Sequence, residues 1–110
     1  MAIGGCSNEV SYDELQDRDG LKYKVWSQTP FTGINVFYHD NGQLDYKSNW
    51  KDGKIDGLEE GYFEDGQLEY KGNYKDGERD GLHERYDENG QLIFKTNWSD
   101  GKKIPLTNPD

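Results

Sequence analysis

The chain has few of the side chains that usually fill a protein core. Leu, Ile, Val and Phe together make up only 20 of its 110 residues, and its formal net charge is −9. This combination is common in disordered chains. However, aromatic residues reach 14%, and Tyr and Trp bury large areas at low entropic cost. The polar residues are also regularly placed, so a folded domain of ordinary size is expected.

The sequence also lacks paired cysteines, long apolar runs and a basic net charge, and each absence excludes or disfavours a class of protein. The single cysteine, Cys6, excludes an internal disulfide. No apolar run approaches the roughly 18 residues needed to span a bilayer. The acidic charge repels phosphate backbones and anionic lipid surfaces, which disfavours nucleic acid and favours a basic protein partner.

The N-terminal residues leave two interpretations open. Ile3-Gly4-Gly5-Cys6 resembles a bacterial lipobox, in which small residues precede a cysteine that becomes lipidated. The charged and apolar regions of a signal peptide are missing. Cys6 is therefore either the lipidation site behind a truncated or re-engineered start, which places the protein in the cell envelope, or an incidental thiol in a flexible N-terminus, residues 1–9, of a cytoplasmic protein.

Glycines recur with a period of 24 residues, as in Gly33, Gly57 and Gly81. Such self-similarity indicates a repeat architecture, whose terminal units are usually atypical. The predicted single domain, residues 10–110, comprises a divergent N-terminal unit, three copies without insertion and a tail, at residues 10–32, 33–56, 57–80, 81–104 and 105–110.

Each copy carries two turn signals, such as Asn41-Gly42 and Asp52-Gly53, around short segments rich in Tyr, Trp and Leu. This pattern is typical of β-hairpins, and the frequent glycines would break a helix. The sequence therefore predicts an all-β fold, an antiparallel meander of hairpin repeats that forms one elongated, curved sheet.

Side-chain parity predicts the loop lengths, because residues directly opposite in a hairpin face the same side. Three-residue loops at residues 40–42 and 51–53, the first with Gly42 at positive φ, place leucines and rings together. Small residues among the rings, Ser48, Gly72 and Thr96, would let the rings lie flat or the sheet bend. The predicted apolar face comprises Ile34, Tyr38, Leu44, Tyr46, Trp50, Leu58, Tyr62, Leu68, Tyr70, Tyr74, Leu82, Tyr86, Leu92, Phe94 and Trp98.

The candidate partner-binding residues lie on this predicted face. Its rings form two columns, which either pack as a core or hold a peptide or sugar. Glu60 and Glu84 share the parity of the rings; they either keep an open face soluble, form a recognition groove for a basic group, or act as catalytic acids. The candidate set is Tyr46, Trp50, Glu60, Tyr70, Tyr74, Glu84, Phe94 and Trp98.

No catalytic, metal or cofactor site is predicted. His39 near a turn and His83 on the polar face are too few and too far apart in the repeat for a zinc site. Asp17-Arg18-Asp19-Gly20 fits a tight turn better than a calcium loop, because the later ligands are missing. Cys6 has no neighbouring base.

The units "GLEEGYFEDGQLEYKGNYKDGERD" and "GLHERYDENGQLIFKTNWSDGKKI" resemble the MORN-repeat variant family, as does the first copy with its Pro30-Phe31-Thr32-Gly33 entry. The resemblance covers about two thirds of the chain, Pro30 to Ile104. It implies a repeat fold with no catalytic motif. Bacterial proteins of this kind are often labelled antitoxins of toxin–antitoxin pairs, and many look like secreted lipoproteins.

The expected function is a non-enzymatic protein-interaction module, such as the antitoxin or immunity-like component of a toxin–antitoxin pair. The alternative is an envelope lipoprotein that binds glycan or peptide through its aromatic face. Edge strands could pair between chains, so the oligomeric state stays open.

Overall fold

A computed structural model describes residues 9–105, and in that range the chain is almost entirely β-structure without an α-helix. Cys6 and the end of the predicted tail lie outside the described residues. The predicted all-β fold is confirmed. The elements are β1 (Glu9–Ser11), a 3-10 turn (Tyr12–Glu14), β2 (Leu15–Arg18), β3 (Leu21–Lys24), β4 (Gly33–Tyr38), β5 (Leu44–Lys51), β6 (Lys54–Tyr62), β7 (Leu68–Lys75), β8 (Glu78–Tyr86), β9 (Leu92–Ser99) and β10 (Lys102–Ile104).

Eight strands form one open sheet in the order β1-β4-β5-β6-β7-β8-β9-β10, and β2 and β3 form a separate hairpin. The strands from β4 to β10 are antiparallel neighbours, whereas β1 pairs with β4 in parallel. The molecule is elongated, with extents of 53 × 33 × 22 Å. The three copies therefore form a meander, and the residues before Gly33 add a strand and a hairpin to it.

The first turn of each copy is the predicted three-residue loop. In the first copy, His39 N donates to the Gln43 carbonyl at 2.8 Å, and Gly42 has φ of 90°. This is a type I turn followed by a left-handed glycine. Equivalent bonds, Phe63 N to Gln67 O and Asp87 N to Gln91 O, close the same loop in the other copies.

One residue beyond this turn, a β-bulge shifts the register. Tyr38 lies opposite Leu44 as predicted, but Phe37 lies opposite Tyr46, so that Asp45 is an extra residue in β5. An unbroken register from the predicted loop at residues 40–42 would pair Val36 with Tyr46, and this expectation is wrong because a bulge of one residue moves the following side chains to the other face. The same shift recurs in the second and third copies.

The second turn is shorter than predicted. Lys51 pairs with Lys54 across a two-residue turn, and Asp52 and Gly53 have φ of 51° and 86°. A turn with two positive φ values matches the twist of the flanking strands, and Asp tolerates the left-handed region better than most residues. The predicted three-residue loop that pairs Trp50 with Lys54 is therefore wrong.

These shifts separate the leucines from the rings. Leu44 lies opposite Tyr38, whereas Tyr46 lies opposite Phe37, the neighbouring residue on β4. Since neighbouring strand residues point to opposite faces, the prediction that leucines and rings share one apolar face is wrong. The sheet instead has one face that carries most of the rings and one face of charged residues and leucines, which also carries Tyr38, Tyr62 and Tyr86.

The hairpin β2–β3 is anchored on the N-terminal end of the sheet. Lys22 N donates to the Gly53 carbonyl at 2.9 Å, and Phe31 N donates to the Lys22 carbonyl at 2.8 Å. The Arg18 guanidinium fastens the following loop by donating to the Ser27 carbonyl at 2.7 Å. The buried apolar side chains of the described residues lie at this same end, and they are Val10, Phe31 and Val36.

Candidate functional site

Most rings of the three copies lie on one side of the sheet, which we call the ring face. The exceptions on the other side are Tyr38, Tyr62 and Tyr86, which lie opposite leucines. Opposed residues define the ring face, because cross-strand partners face the same side. Its first row is Phe37, Tyr46, Gly61, Tyr70, Arg85 and Phe94. Its central row is Asn35, Ser48, Glu59, Gly72, His83 and Thr96. Its third row carries Trp50, Tyr74 and Trp98.

Small residues of the central row support the tryptophans. Trp50 Nε1 donates to Ser48 Oγ at 2.9 Å, and Trp98 Nε1 donates to Thr96 Oγ1 at 2.9 Å. Both hydroxyls are buried, and each indole lies against the strand that carries it. The polar atom of each tryptophan is thereby satisfied within the protein, as amphipathic rings require when they are partly buried.

Glycines make room for two further rings. A methyl group at Gly61 would overlap the Tyr70 ring, and one at Gly72 would overlap the His83 imidazole. The Tyr70 and His83 rings therefore lie flat over the backbone of a neighbouring strand. This agrees with the predicted purpose of the small residues, and at Gly72 the ring that uses the space is a histidine.

Glu59 lies in the centre of this aromatic surface. It is opposite Ser48 on one side and Gly72 on the other. Burial raises the pKa of its carboxyl above the ordinary value of 4.5, and a hydrogen bond from the Tyr74 hydroxyl and the charge of Arg79 act in the other direction. Burial, followed by the charge of Glu59, also raises the pKa of Tyr70 to about 12.

The third copy places cations over the rings. The Arg79 guanidinium lies 4.8 Å from the centre of the Trp98 ring, and Arg85 lies 5.9 Å from the Tyr70 ring. His83 packs edge-on against Tyr74 with ring centres 5.1 Å apart, and burial lowers the pKa of its imidazole. These contacts are within the range of cation–π and aromatic attraction.

The other side of the sheet is a ladder of alternating charges, which we call the ladder face. Its central row reads Lys47, Glu60, Lys71, Glu84 and Lys95 across five strands. The Lys71 ammonium lies 3.9 Å from the Glu84 carboxylate, and the Tyr86 hydroxyl donates to Glu84 at 2.8 Å. Opposite charges on directly paired residues stabilise neighbouring strands.

The structure thus brings together six of the eight candidate residues. The rings of Tyr46, Tyr70 and Phe94 share the first row, and those of Trp50, Tyr74 and Trp98 share the third. The placement of Glu60 and Glu84 among these rings is wrong, because the register shift puts both on the ladder face.

Sequence reasoning missed five residues of the ring face, and it placed one of them, His83, on the polar face. The alternation of Lys and Glu could have revealed the correct register, since this register sets opposite charges against each other in one continuous row from β5 to β9. The missed residues are Phe37, Glu59, Arg79, His83 and Arg85.

A cavity of about 400 Å³ lies between the hairpin β2–β3 and the N-terminal half of the ring face. Tyr46, Trp50, Glu59 and Tyr70 line it from the sheet, and Tyr12 is among the residues that line it from the opposite side. The Tyr12 ring also meets Phe37 edge-on, with ring centres 5.4 Å apart. The hairpin therefore roofs one part of the ring face and leaves the third copy open.

The histidines do not form a metal centre with other described residues. His39 Nδ1 lies 3.3 Å from Asp45, and its Nε2 lies 2.8 Å from the Tyr62 carbonyl. His83 Nε2 lies 2.9 Å from the Asn73 carbonyl. Between residues 9 and 105, no group of three or more His, Cys, Asp or Glu side chains could hold a metal ion, and no helix is suited to crossing a bilayer.

Three segments, residues 31–52, 55–76 and 79–100, match the family model of the MORN repeat variant. Together they cover more than half of the chain. Repeats of this family are binding modules without catalytic residues. No curated protein and no solved structure matches the chain significantly.

Proposed function

We propose that this chain, which belongs to the MORN repeat variant family, is a non-enzymatic module that binds a basic protein through its ring face. The observation that carries the proposal is an aromatic surface left open on an acidic protein. Phe94 is 55% exposed, and the net charge is −9. Aromatic side chains dominate protein interfaces, and opposite net charge accelerates encounter.

The partner's chemistry follows from this charge. A basic protein would meet an attractive field over most of the surface, and its apolar or cationic side chains would find the rings. The antitoxin or immunity-like component of a toxin–antitoxin pair is one role of this kind. Its support is the acidic surface, together with the family resemblance given above.

A glycan-binding envelope lipoprotein has weaker support. Sugars stack on free aromatic faces, but the Trp98 ring already has the Arg79 guanidinium over it. The indole nitrogens of Trp50 and Trp98 are also engaged by Ser48 and Thr96. The loss of glycan-array binding on Trp50→Ala or Trp98→Ala would revive this alternative.

The experiment uses two variants of β9 that differ in face. Phe94→Ser changes the ring face, and Leu92→Ser changes the ladder face at a residue of similar exposure, 47% against 55%. Each purified variant is immobilised and exposed to a lysate of the native host at low and high salt. We expect the wild-type and Leu92→Ser proteins to retain the same basic protein at low salt, and Phe94→Ser to retain much less.

High salt should weaken this capture, because attraction between exposed charges is screened. If the two variants capture the partner equally well, the interface does not lie on the ring face at Phe94. Failure of the wild-type chain to retain any protein would overturn the proposed function.

A further inference from the structure

The three copies differ in charge at the centre of the ring face. The central row holds a neutral amide in the first copy, a carboxylate in the second and an imidazole in the third, at Asn35, Glu59 and His83. These positions are 24 residues apart and therefore equivalent. The backbone around them repeats, so the change in charge is a property of the individual copy rather than of the fold.

The second and third copies surround this position with the same frame of rings. Glu59 lies between Ser48 and Gly72, and two rings flank each of these small residues along its own strand. On β5 they are Tyr46 and Trp50, and on β7 they are Tyr70 and Tyr74. His83 has the corresponding frame, formed by Tyr70, Tyr74, Phe94 and Trp98.

The third copy fills its frame with its own cations. Arg79 lies over Trp98 at 4.8 Å, and Arg85 lies over Tyr70 at 5.9 Å. The equivalent positions in the second copy are Ile55 and Gly61, which carry no charge. The second frame therefore has a carboxylate at its centre and no cation of its own in these two places, although it shares Tyr70, and so the contact of that ring with Arg85, with the third frame.

Within the described range, Glu59 has no counter-ion at ion-pair distance, although the charge of Arg79 acts on its carboxylate from farther away. Of the residues that the structure describes, none forms an ion pair with it within 4.0 Å, and Lys22 at the cavity is engaged by Asp17 at 3.0 Å. The Tyr74 hydroxyl favours the charged carboxylate and lowers the pKa of Glu59, but burial outweighs it. A partly buried carboxylate that lacks a counter-ion costs free energy, and a bound cation would remove this cost.

The cavity has the size and shape for such a cation. Its volume is about 400 Å³, and it is bounded by Tyr46, Trp50 and Tyr70 together with the roof residues Tyr12 and Leu15. Rings on several sides with a carboxylate at the base suit a compact alkylammonium group. A planar guanidinium instead stacks on a single ring, as the two arginines of the third copy do.

We propose that the Glu59 cavity binds an alkylammonium group, and that its natural source is a lysine side chain of the partner protein. Only the second half of this inference rests on the proposed function. The ammonium would enter between the hairpin and the sheet, pair with the Glu59 carboxylate and contact the faces of the surrounding rings. The cavity would thereby anchor a basic partner at the covered end of the ring face.

The test uses tetramethylammonium chloride and n-butylammonium chloride as probes, with sodium chloride at equal ionic strength and neutral tert-butanol as controls. Two-dimensional NMR of the intact chain follows the indole Nε1–H signal of Trp50. We expect saturable shifts at Trp50 with both ammonium probes and none with sodium. The same titration on Glu59→Gln should show an affinity for the probes that is weaker by at least about tenfold, since the charged partner is lost.

Glu60→Gln is the matched control, because it removes the same charge from the adjacent residue on the opposite face. It should bind the probes as the wild type does. Glu59→His, which copies the third repeat, provides a second variant that the fold already accommodates, and it should also lose binding. Circular dichroism verifies that each variant is folded.

Equal binding by Glu59→Gln and wild type, equal shifts with tert-butanol, or shifts that never saturate would each overturn the inference. The proposed function is judged separately. If partner capture persists in Glu59→Gln while probe binding is absent in the wild type, the module binds its partner without this anchor. If the probes bind but nothing is captured, the pocket stands and the proposed function fails.

Discussion

The two ends of the eight-stranded sheet are built from equivalent residues but are covered very differently. At the N-terminal end, Phe31 is 3% exposed, Tyr46 (the equivalent of Phe94) is partly buried, and the hairpin β2–β3 roofs the rings. At the C-terminal end, Phe94 is 55% exposed and two arginines lie over the rings instead of a roof. A single layer of hairpins cannot bury its own rings, so an element outside the copies has to do so.

This difference suggests separate roles for the two ends, one in the stability of the fold and one in binding a partner. Apolar burial is concentrated where the hairpin docks, and the third copy is held chiefly by its strand ladder and by contacts such as Arg79 on Trp98. Exposed aromatic surface is costly to keep unless it serves binding. The covered end is therefore expected to hold the fold together, and the open end is expected to be available to a partner.

The largest expected effect is on the free energy of unfolding, and it is found by comparing two variants, each of which loses one ring at one end of the sheet. Phe31→Ala empties a buried site and should reduce the free energy of unfolding by about 3 kcal/mol or more. Phe94→Ala removes a ring that is mostly in water and should cost less than about 1 kcal/mol. Urea unfolding followed by tryptophan fluorescence measures both. Equal losses would mean that the third copy contributes as much to the core as the docked end.

A smaller effect is expected from filling the space under Tyr70. Gly61→Ala places a methyl group where the Tyr70 ring lies, and it should destabilise the fold by about 1–3 kcal/mol through overpacking. Arg85→Ala, at the equivalent position of the open third copy, removes only an exposed cation and should cost less. The same unfolding experiment compares the two. A neutral Gly61→Ala would show that Tyr70 moves freely, which would also weaken the proposed cavity.

Much of the fold could be predicted from the sequence because its signals are local. The period of the glycines and the Asx-Gly pairs determine where the chain turns, and the three-residue loop at Gly42 follows from parity across that turn. The prediction that the rings form two columns on one face is also correct, although the predicted register is wrong. Tyr46 and Trp50 lie on one strand four residues apart, so they share a face whatever their partners on the next strand are.

The acidic residue of the site could not be predicted in the same way. Choosing between Glu59 and Glu60 depends on the exact length of the turn and on every bulge near that position. The two-residue turn at Asp52-Gly53 exchanges their faces relative to β5, and the extra residue Glu69 does the same relative to β7. The position of the hairpin β2–β3 over the ring face also could not be predicted from the sequence. Residues 10–32 do not repeat the pattern of the copies, so nothing in the period indicates that β2 and β3 leave the sheet and fold over it.

The smallest effect concerns pH and compares the two central residues, Glu59 and His83. The native pKa of Glu59 is raised, so its stabilising contribution is present below 4.5 and is lost as the pH rises through the native pKa. The native pKa of His83 is lowered, so its contribution is present above 6.5 and is lost as the pH falls through the native pKa. Tyr74 and Arg79 are near both groups.

The two substitutions to Gln should therefore have opposite pH profiles. Relative to wild type, Glu59→Gln should gain stability as the pH rises above 4.5, whereas His83→Gln should gain as the pH falls below 6.5. Each change should stay below about 1 kcal/mol, because both side chains are partly open to solvent. Urea unfolding at intervals between pH 4 and pH 8 measures the profiles. Parallel profiles would contradict the opposite pKa shifts of Glu59 and His83.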